Sequence, residues 1–131
     1  MRYAVSMTQK DMCDGYENPQ NYNVFAAQCP SRKLLTDATR RWSILVLAAL
    51  LGQSRRFGQL RSDVEGISDR MLSQTLGLLV EDGLVARDDS GDAPIYSLTE
   101  PGKTVAQPTA QLFTAIYQAL DQMPEGDTLS A

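Results

Sequence analysis

The segment Gly66–Gly83, GISDRMLSQTLGLLVEDG, constrains the fold more than any other part of this 131-residue chain. Ser68 is of a type preferred at a helix N-cap, and Asp69 follows in the first turn, where the helix dipole favours a negative charge. Apolar residues then recur at helical spacing, at Leu72, Leu76, Leu79 and Val80. Gly83 is the expected C-terminal stop. The segment is therefore predicted to form one amphipathic helix.

The opposite face of this helix carries Arg70, Ser73, Gln74 and Gly77 near its N-terminal half. Slender hydrogen-bonding side chains with one cation suit a helix that lies in a DNA major groove. The same side chains also suit a solvated polar face, which is the more common use of such a surface and is favoured by this segment alone. The segment alone leaves both interpretations open.

The neighbouring segments predict a helix-turn-helix followed by a wing. Arg55–Val64 has helical apolar spacing, and Glu65–Gly66 joins it to the central helix by a short turn. Leu84–Asp88 and Pro94–Leu98 are strand-like and flank the turn sequence Ser90–Asp92, which predicts a β-hairpin.

Further helices are predicted on both sides of this unit. Cys29–Thr39 has Pro30 in its first turn, and the very apolar Trp42–Leu51 is expected to be the central buried helix, with Ser43 as a possible N-cap. A final helix is expected to begin at Thr99, to be kinked or interrupted at Pro108 and to end at Pro124. The predicted fold is mainly α with a small β-hairpin wing, and the predicted divisions are an arm at 1–28, a domain at 29–124 and a tail at 125–131.

Composition excludes several classes of chemistry. The chain has no histidine, which removes histidine-based acid–base catalysis, Ser-His or Cys-His nucleophile pairs and histidine metal ligation. Two cysteines, Cys13 and Cys29, are too few to build a zinc site. We therefore expect no enzyme activity, no metal and no cofactor. The longest apolar run, Ile44–Leu51, is too short to span a membrane, and no secretory signal is evident, which points to the cytoplasm.

The net charge of −4 conceals a strong separation of charge along the chain. Residues 31–61 carry seven basic residues and one acid, a net charge of +6, whereas residues 62–92 carry eight acids and two basic residues, a net charge of −6. Phosphate binding depends on where the basic patch lies rather than on the overall sum. The acidic overall charge therefore does not exclude a nucleic-acid partner.

The order of elements is accompanied by a specific sequence pattern. It comprises Cys29-Pro30, the Trp42–Leu51 segment, RFGQLR at 56–61, GISDRMLSQTL at 66–76, EDGLV at 81–85 and YSLTE at 96–100. Over about 29–120 the chain resembles the HxlR-type winged-helix transcriptional regulators, which are relatives of the MarR regulators. The resemblance implies a bacterial, dimeric regulator of nearby genes, whose cysteine before the proline responds to electrophiles or oxidants in several members.

The chain departs from the family pattern in three places. Arg40-Arg41 stands where the family usually has Gly-Lys, and the first 28 residues form a longer arm. The wing is short and carries Asp88, Asp89 and Asp92, although the family wing is longer and often basic. Strong insertion of this wing into the minor groove is therefore not expected.

With the resemblance, DNA contact becomes the favoured interpretation of the central helix. Arg70, Ser73 and Gln74 are the candidates for base contacts, and Ser68 for a phosphate contact through its hydroxyl or nearby N–H groups. Arg55 and Arg56 are the phosphate candidates on the preceding helix, whereas Arg61 could instead pair with an acid: Asp63, Glu65 or Asp69. The expected partner is a pseudo-palindromic double-stranded operator. The alternative is a winged-helix protein–protein module without DNA binding, which the acidic wing and net charge favour.

Two further sites are predicted. The terminal helix carries a long apolar stripe, expected to form a homodimer interface: Leu112, Phe113, Ile116, Tyr117 and Leu120. Cys29 lies at a helix start near Arg32 and Lys33, which favours a reactive thiolate, although a buried packing role is an equal alternative. Cys13 is a weaker candidate for a resolving thiol, and a structural disulfide would be unusual in a cytoplasmic protein. A small-molecule or oxidant effector is a further expected partner.

Overall fold

The computed structural model describes residues 12–15 and 18–124. Its elements are α1 (Pro30–Ala38), α2 (Arg41–Ala49), β1 (Arg55–Arg56), α3 (Phe57–Asp63), α4 (Asp69–Glu81), β2 (Val85–Asp88), β3 (Ile95–Leu98) and α5 (Glu100–Gln122). This is the winged helix-turn-helix architecture that the sequence predicts. The predicted tail at 125–131 and residues 1–11 and 16–17 of the predicted arm lie outside the described residues. Within the described ranges, no helix combines the length and apolarity that a membrane crossing requires.

The central helix α4 forms for the predicted reasons. The Ser68 hydroxyl accepts a hydrogen bond of 3.1 Å from the Met71 N–H and thus caps the helix. After the helix, Gly83 adopts a φ of 82°, a conformation that glycine tolerates and that ends helices. The buried stripe differs from the prediction at two positions. Thr75 is buried beside the three leucines, whereas Val80 is exposed because it lies past the edge of the packed face.

The core is built around α2, as predicted. Val46, Leu47 and Leu50 are fully buried and belong to one cluster with leucines of α3 and α4. Burial of each such side chain contributes about 1.5–3 kcal/mol to folding. The prediction that Ser43 is the N-cap of this helix is wrong. Arg40 is the N-cap residue, so the helix begins at Arg41. Ser43 lies inside the first turn of the helix and is completely buried.

The prediction of a helix over Arg55–Val64 is wrong at its first two residues. Arg55 and Arg56 form β1, which pairs antiparallel with β3 and places Arg55 opposite Tyr96. The strand order is β1-β3-β2, so the wing is part of a three-stranded sheet rather than an isolated hairpin. The helical apolar pattern begins only at Phe57, which leaves the two arginines free to complete the open edge of β3.

Helix α5 begins at the predicted cap, where the Thr99 hydroxyl accepts a hydrogen bond from the Gly102 N–H. It continues through Pro108, so the expected interruption does not occur. A proline inside a helix removes one backbone hydrogen bond. Ala106 and Thr109 are buried on either side of it, so α5 packs against the domain both before and after the proline.

The junction between α5 and the end of the helix-turn-helix is very close. The Thr99 hydroxyl donates to the Gly83 carbonyl at 2.6 Å, and the Thr99 N–H donates to the Leu84 carbonyl at 3.0 Å. A Cβ on Gly102 would lie 1.9 Å from the Leu84 carbonyl oxygen. Only glycine fits there without moving the backbone, so Gly102 fixes how α5 meets the helix-turn-helix unit.

Candidate nucleic-acid interface

The outward face of α4 carries the predicted base-contacting residues. Ser68, Arg70, Ser73 and Gln74 are all exposed, and residues three and four apart lie on the same side of a helix. Arg70 makes no ion pair with any described residue. Its guanidinium is therefore available to an external partner. Gly77 extends this face toward the C-terminus, with open space where a Cβ would stand.

An ion pair bridges the turn between α3 and α4. Arg61 Nη1 lies 2.9 Å from Asp69 Oδ1, which realises one of the pairings that the sequence left open. Both side chains are at least half exposed, so the pair contributes only about 0–1 kcal/mol to stability. Its main consequence is that Arg61 is engaged within the protein and adds little to the cationic surface.

Arg55 and Arg56 differ in their surroundings. Arg55 donates two hydrogen bonds to the Asp63 carboxylate, at 2.8 and 2.9 Å, and this hydrogen bonding raises the pKa of Arg55. Its side chain is only 23% exposed. Arg56 is exposed, and its backbone N–H donates to Gln59 Oε1 at the start of α3. Of the two phosphate candidates, Arg55 already has an anionic partner, whereas the Arg56 side chain forms no ion pair within residues 12–15 and 18–124.

The wing presents acidic rather than basic groups at its tip. Arg87 pairs with Asp89 at 2.8 Å and lies 5.9 Å from the Tyr96 ring centre. The Ser90 N–H donates to Asp88 Oδ1, and hydrogen bonding from Ser90 lowers the pKa of Asp88. Arg87 is therefore paired with an acid of the wing itself. Weak insertion of the wing into a minor groove stays a prediction.

The predicted dimer stripe is largely uncovered in the single chain. Leu112, Ile116 and Leu120 are exposed, Tyr117 is 64% exposed, and Phe113 is partly buried. These residues follow one side of the C-terminal half of α5. A stripe of this kind is costly to leave in water, and its role in dimerisation stays a prediction.

The structure corrects the prediction of a free Cys29 thiolate. Cys29 is joined to Cys13 in a disulfide, and its residue surface is only 1% exposed. The sulfur accepts a hydrogen bond from the Asn23 N–H at 3.3 Å and lies 3.1 Å from the Ser31 hydroxyl. The weaker suggestion, that Cys13 is the partner thiol, matches the observed pairing. The sequence argument failed because it treated the 1–28 arm as separate from α1.

The two cations that were expected to stabilise a thiolate contact other groups. Arg32 donates to the carbonyls of Val24 and Phe25, at 2.7 and 3.1 Å, and so holds the preceding segment against α1. Asn23 donates to the Asp14 carbonyl at 2.7 Å. The segment 18–28 is thus fastened to the domain by side-chain hydrogen bonds as well as by the disulfide.

A buried acidic cluster next to α4 was not predicted. Lys33 lies 2.6 Å from Asp37 Oδ2 and 3.3 Å from Asp82 Oδ1, and both carboxylates are almost completely buried. Burial, together with hydrogen bonding to Asp37, raises the pKa of Asp82. Burial also acts to raise the pKa of Asp37, but hydrogen bonds from Asp82 and Lys33 outweigh it and lower that pKa overall. The Lys33–Asp37 spacing of four residues signalled an ion pair, but nothing in the sequence linked it to Asp82.

Comparison with known proteins gives consistent results. The model of HxlR-like helix-turn-helix proteins matches residues 38–123. The HTH-type transcriptional regulator YtfH of Escherichia coli K12 is 42% identical over 93 residues, which are 69% of this chain and 74% of YtfH. The structure of the transcriptional regulator ytfH from Salmonella typhimurium is 39% identical with a TM-score of 0.67, and the match covers 76% of this chain and 92% of that one. The redox regulator HypR in its oxidised form is 27% identical with a TM-score of 0.63, over 69% of this chain and 96% of HypR.

Proposed function

Since the chain belongs to the HxlR-like helix-turn-helix family and is a transcriptional regulator of the HTH type, we propose that it acts as a homodimeric repressor of a neighbouring gene. In this proposal each protomer places α4 in the major groove of a double-stranded operator. The observation that carries it is that Arg70 is exposed, forms no ion pair with any described residue and shares one face of α4 with Ser73 and Gln74.

Base recognition follows from the chemistry of these side chains. The Arg70 guanidinium can donate two hydrogen bonds to a guanine, and the Gln74 amide can pair with an adenine in the same two-point manner. Ser73 is short enough to let the helix approach the bases. Ser68 lies at the N-terminus of α4, where its hydroxyl and the free N–H groups suit a phosphate.

Phosphate contacts on the preceding element are assigned chiefly to Arg56. Its side chain is exposed at the start of α3, the helix that crosses the sugar–phosphate backbone in this architecture. Arg55 can contribute only if a phosphate replaces Asp63, which now accepts two hydrogen bonds from it. Arg55 therefore acts mainly to fix β1 against α3.

Dimerisation is proposed through the stripe on α5. A pair of chains that covers this stripe removes exposed apolar surface from water and places two copies of α4 on one side of the assembly. Two recognition helices bound to one face of a duplex are separated by one helical turn, about 34 Å. The operator is accordingly expected to be pseudo-palindromic.

A redox response is a second part of the proposal, supported by the Cys13–Cys29 disulfide and by the likeness to HypR. Formation of the bond from two thiols releases two electrons and two protons. A quinone takes up both and becomes a hydroquinone. Cys29 adjoins α1, whose Lys33 reaches Asp82 at the end of α4. Oxidation can therefore alter the position of the recognition helix through α1.

The test is a mobility-shift assay with the promoter beside the protein's own gene, in competition with random DNA and across a salt titration. The proposal predicts that the promoter complex survives an excess of random DNA and weakens with salt. If random DNA displaced the promoter complex as readily as promoter DNA does, or if no complex formed at low salt, a protein–protein module would be favoured instead.

A further inference from the structure

Most cations in the described part of the chain already have a partner within the protein. Arg32 is hydrogen-bonded to two backbone carbonyls. Six others form ion pairs: Lys33, Arg40, Arg55, Arg61, Arg87 and Lys103. Within residues 12–15 and 18–124, this leaves three cations with neither kind of contact, namely Arg41, Arg56 and Arg70. The function proposed above uses the last two of these but not Arg41.

Arg41 is exposed at the start of α2, and its guanidinium carbon lies 4.5 Å from the centre of the Trp42 ring. Such stacking uses the flat face of the guanidinium. The N–H donors point outward in the plane of the group and stay available for hydrogen bonds. The first turn of α2 contains no acidic residue that could engage them. The ring therefore orients the guanidinium without occupying its donors.

Trp42 places this guanidinium beside the start of the recognition helix α4. Its Cη2 atom lies 4.0 Å from the position that a Cβ on Gly66 would take. Gly66 belongs to the turn between α3 and α4, two residues before the Ser68 cap. A single aromatic ring thus separates Arg41 from the turn that leads into α4. In the proposed complex, this end of α4 approaches the edge of the major groove.

We propose that Arg41 is an additional phosphate-contacting residue, which binds the sugar–phosphate backbone beside the groove that α4 occupies and is oriented by Trp42. The inference rests on the function proposed above, because the anion is a phosphate of the bound duplex. A guanidinium can donate two parallel hydrogen bonds to two oxygens of one phosphate. Phosphates carry no direct sequence information, so the contact strengthens binding to any duplex and does not select the promoter.

The preceding residue, Arg40, provides a matched control. Its Nη2 atom lies 3.6 Å from Asp37 Oδ1, so this side chain is directed toward α1. Arg40 and Arg41 are adjacent in the sequence and both are exposed. Replacement of either one removes the same charge, but only Arg41 is stacked on Trp42 next to the turn before α4.

The test compares Arg41→Gln with Arg40→Gln in salt titrations of the full chain, with a promoter duplex and a random duplex of the same length. Loss of one phosphate contact lowers the slope of log K against log salt by about 0.9 for each bound chain. At 0.1 M salt, this change corresponds to an about eightfold loss of affinity per chain. Arg41→Gln should show the loss equally on both duplexes, and Arg40→Gln should keep the wild-type slope.

The variant Arg41→Lys separates a phosphate contact from a purely structural role of the stacked side chain. It keeps the charge and should therefore keep the salt slope, although lysine lacks the planar pair of donors. If Arg41 served only to stabilise the fold, Arg41→Gln would lower the melting temperature and leave the salt slope unchanged. A slope in Arg41→Lys as low as that of Arg41→Gln would contradict the phosphate contact.

Trp42 supplies an independent readout, because it is the only tryptophan of the chain. A phosphate bound to Arg41 changes the surroundings of the stacked ring. Saturation with random duplex should therefore change the tryptophan fluorescence of the wild type and of Arg40→Gln, but not that of Arg41→Gln. Constant emission from saturated wild-type protein would contradict the position assigned to the duplex.

The results distinguish this inference from the function on which it rests. If the wild type binds DNA and Arg41→Gln has the same salt slope, the contact at Arg41 is refuted and the proposed regulator is not. A loss limited to the promoter duplex would also refute a phosphate contact. Absence of any DNA complex with the wild type at low salt would refute the proposed function and the contact together.

Discussion

At the scale of single residues, the cations near the helix-turn-helix fall into two groups. Arg55 and Arg61 are engaged by Asp63 and Asp69, whereas the side chains of Arg56 and Arg70 are exposed without such a pair. Intramolecular pairing lowers the tendency of an arginine to bind phosphate, because one ion pair must be exchanged for another. The positive charge that matters for DNA is therefore smaller than the sequence count implies.

Replacement of Arg70 tests the base contact. Arg70→Ala should reduce the preference for the promoter over random DNA by about 1–3 kcal/mol, because a two-point contact to a base is lost. Arg56→Ala is the matched control. It should weaken promoter and random DNA alike and flatten the salt dependence, as expected for a phosphate contact. If Arg70→Ala lowered both affinities equally in competition assays, the base contact would be refuted.

The buried carboxylates predict opposite effects of pH and mutation. The pKa of Asp82 is raised above its ordinary value of 3.8, so its ionisation costs folding stability as pH rises through and above that value. The pKa of Asp37 is lowered, so its ionised form stabilises the fold above pH 3.8 and that contribution is lost as pH falls below it. At pH 7, Asp37→Asn should therefore lower the melting temperature and Asp82→Asn should not. Melting curves between pH 3 and 7 check both, and a larger loss for Asp82→Asn would contradict the assignment.

At the scale of elements, sequence patterns predicted most of the fold because local chemistry determines it. The Ser68 and Thr99 caps and the stop at Gly83 depend on residues within a few positions, and all three are confirmed. Strand β1 was missed because its only reason to be a strand is the distant edge of β3. The Lys33–Asp82 contact was missed for the same reason, since its partners are 49 residues apart. The disulfide was not expected because sequence gives no distance between the arm and α1.

The close approach of α5 to Leu84 gives a prediction that has a matched control variant. Gly102→Ala should destabilise the fold by about 1–3 kcal/mol, because the added methyl group would overlap the Leu84 carbonyl. Gly77→Ala places the same methyl group in open space on an exposed helix face and should stabilise the free protein by about 0.5–1 kcal/mol. Urea unfolding of the two variants provides the comparison. Equal effects would show that the close approach of α5 to Leu84 is not rigid.

At the scale of the whole molecule, we propose that two surfaces serve different partners, the face of α4 for DNA and the stripe on α5 for a second copy. The Cys13–Cys29 bond fastens the preceding segment to α1. Helix α1 connects these parts, because it carries both the disulfide neighbour Pro30 and the Lys33 contact to α4. Changes at the cysteine pair are therefore expected to reach the recognition helix.

Redox treatment tests that connection. Exposure to a quinone or hypochlorite should change the promoter affinity of reduced wild-type protein, and Cys29→Ser should not respond because it cannot form the bond. Cys13→Ser should behave like Cys29→Ser if the pair acts together. A response shared by wild type and Cys29→Ser, or no response while the wild-type thiols are demonstrably oxidised, would make Cys29 a packing residue.

The central claim is that two chains place two α4 helices on one face of a duplex. Hydroxyl-radical footprinting of the promoter beside the protein's own gene measures this directly. The account predicts two symmetric protected regions about one helical turn apart, at a stoichiometry of two chains per duplex. A single protected region bound by one chain, or uniform protection without a preferred position, would contradict it.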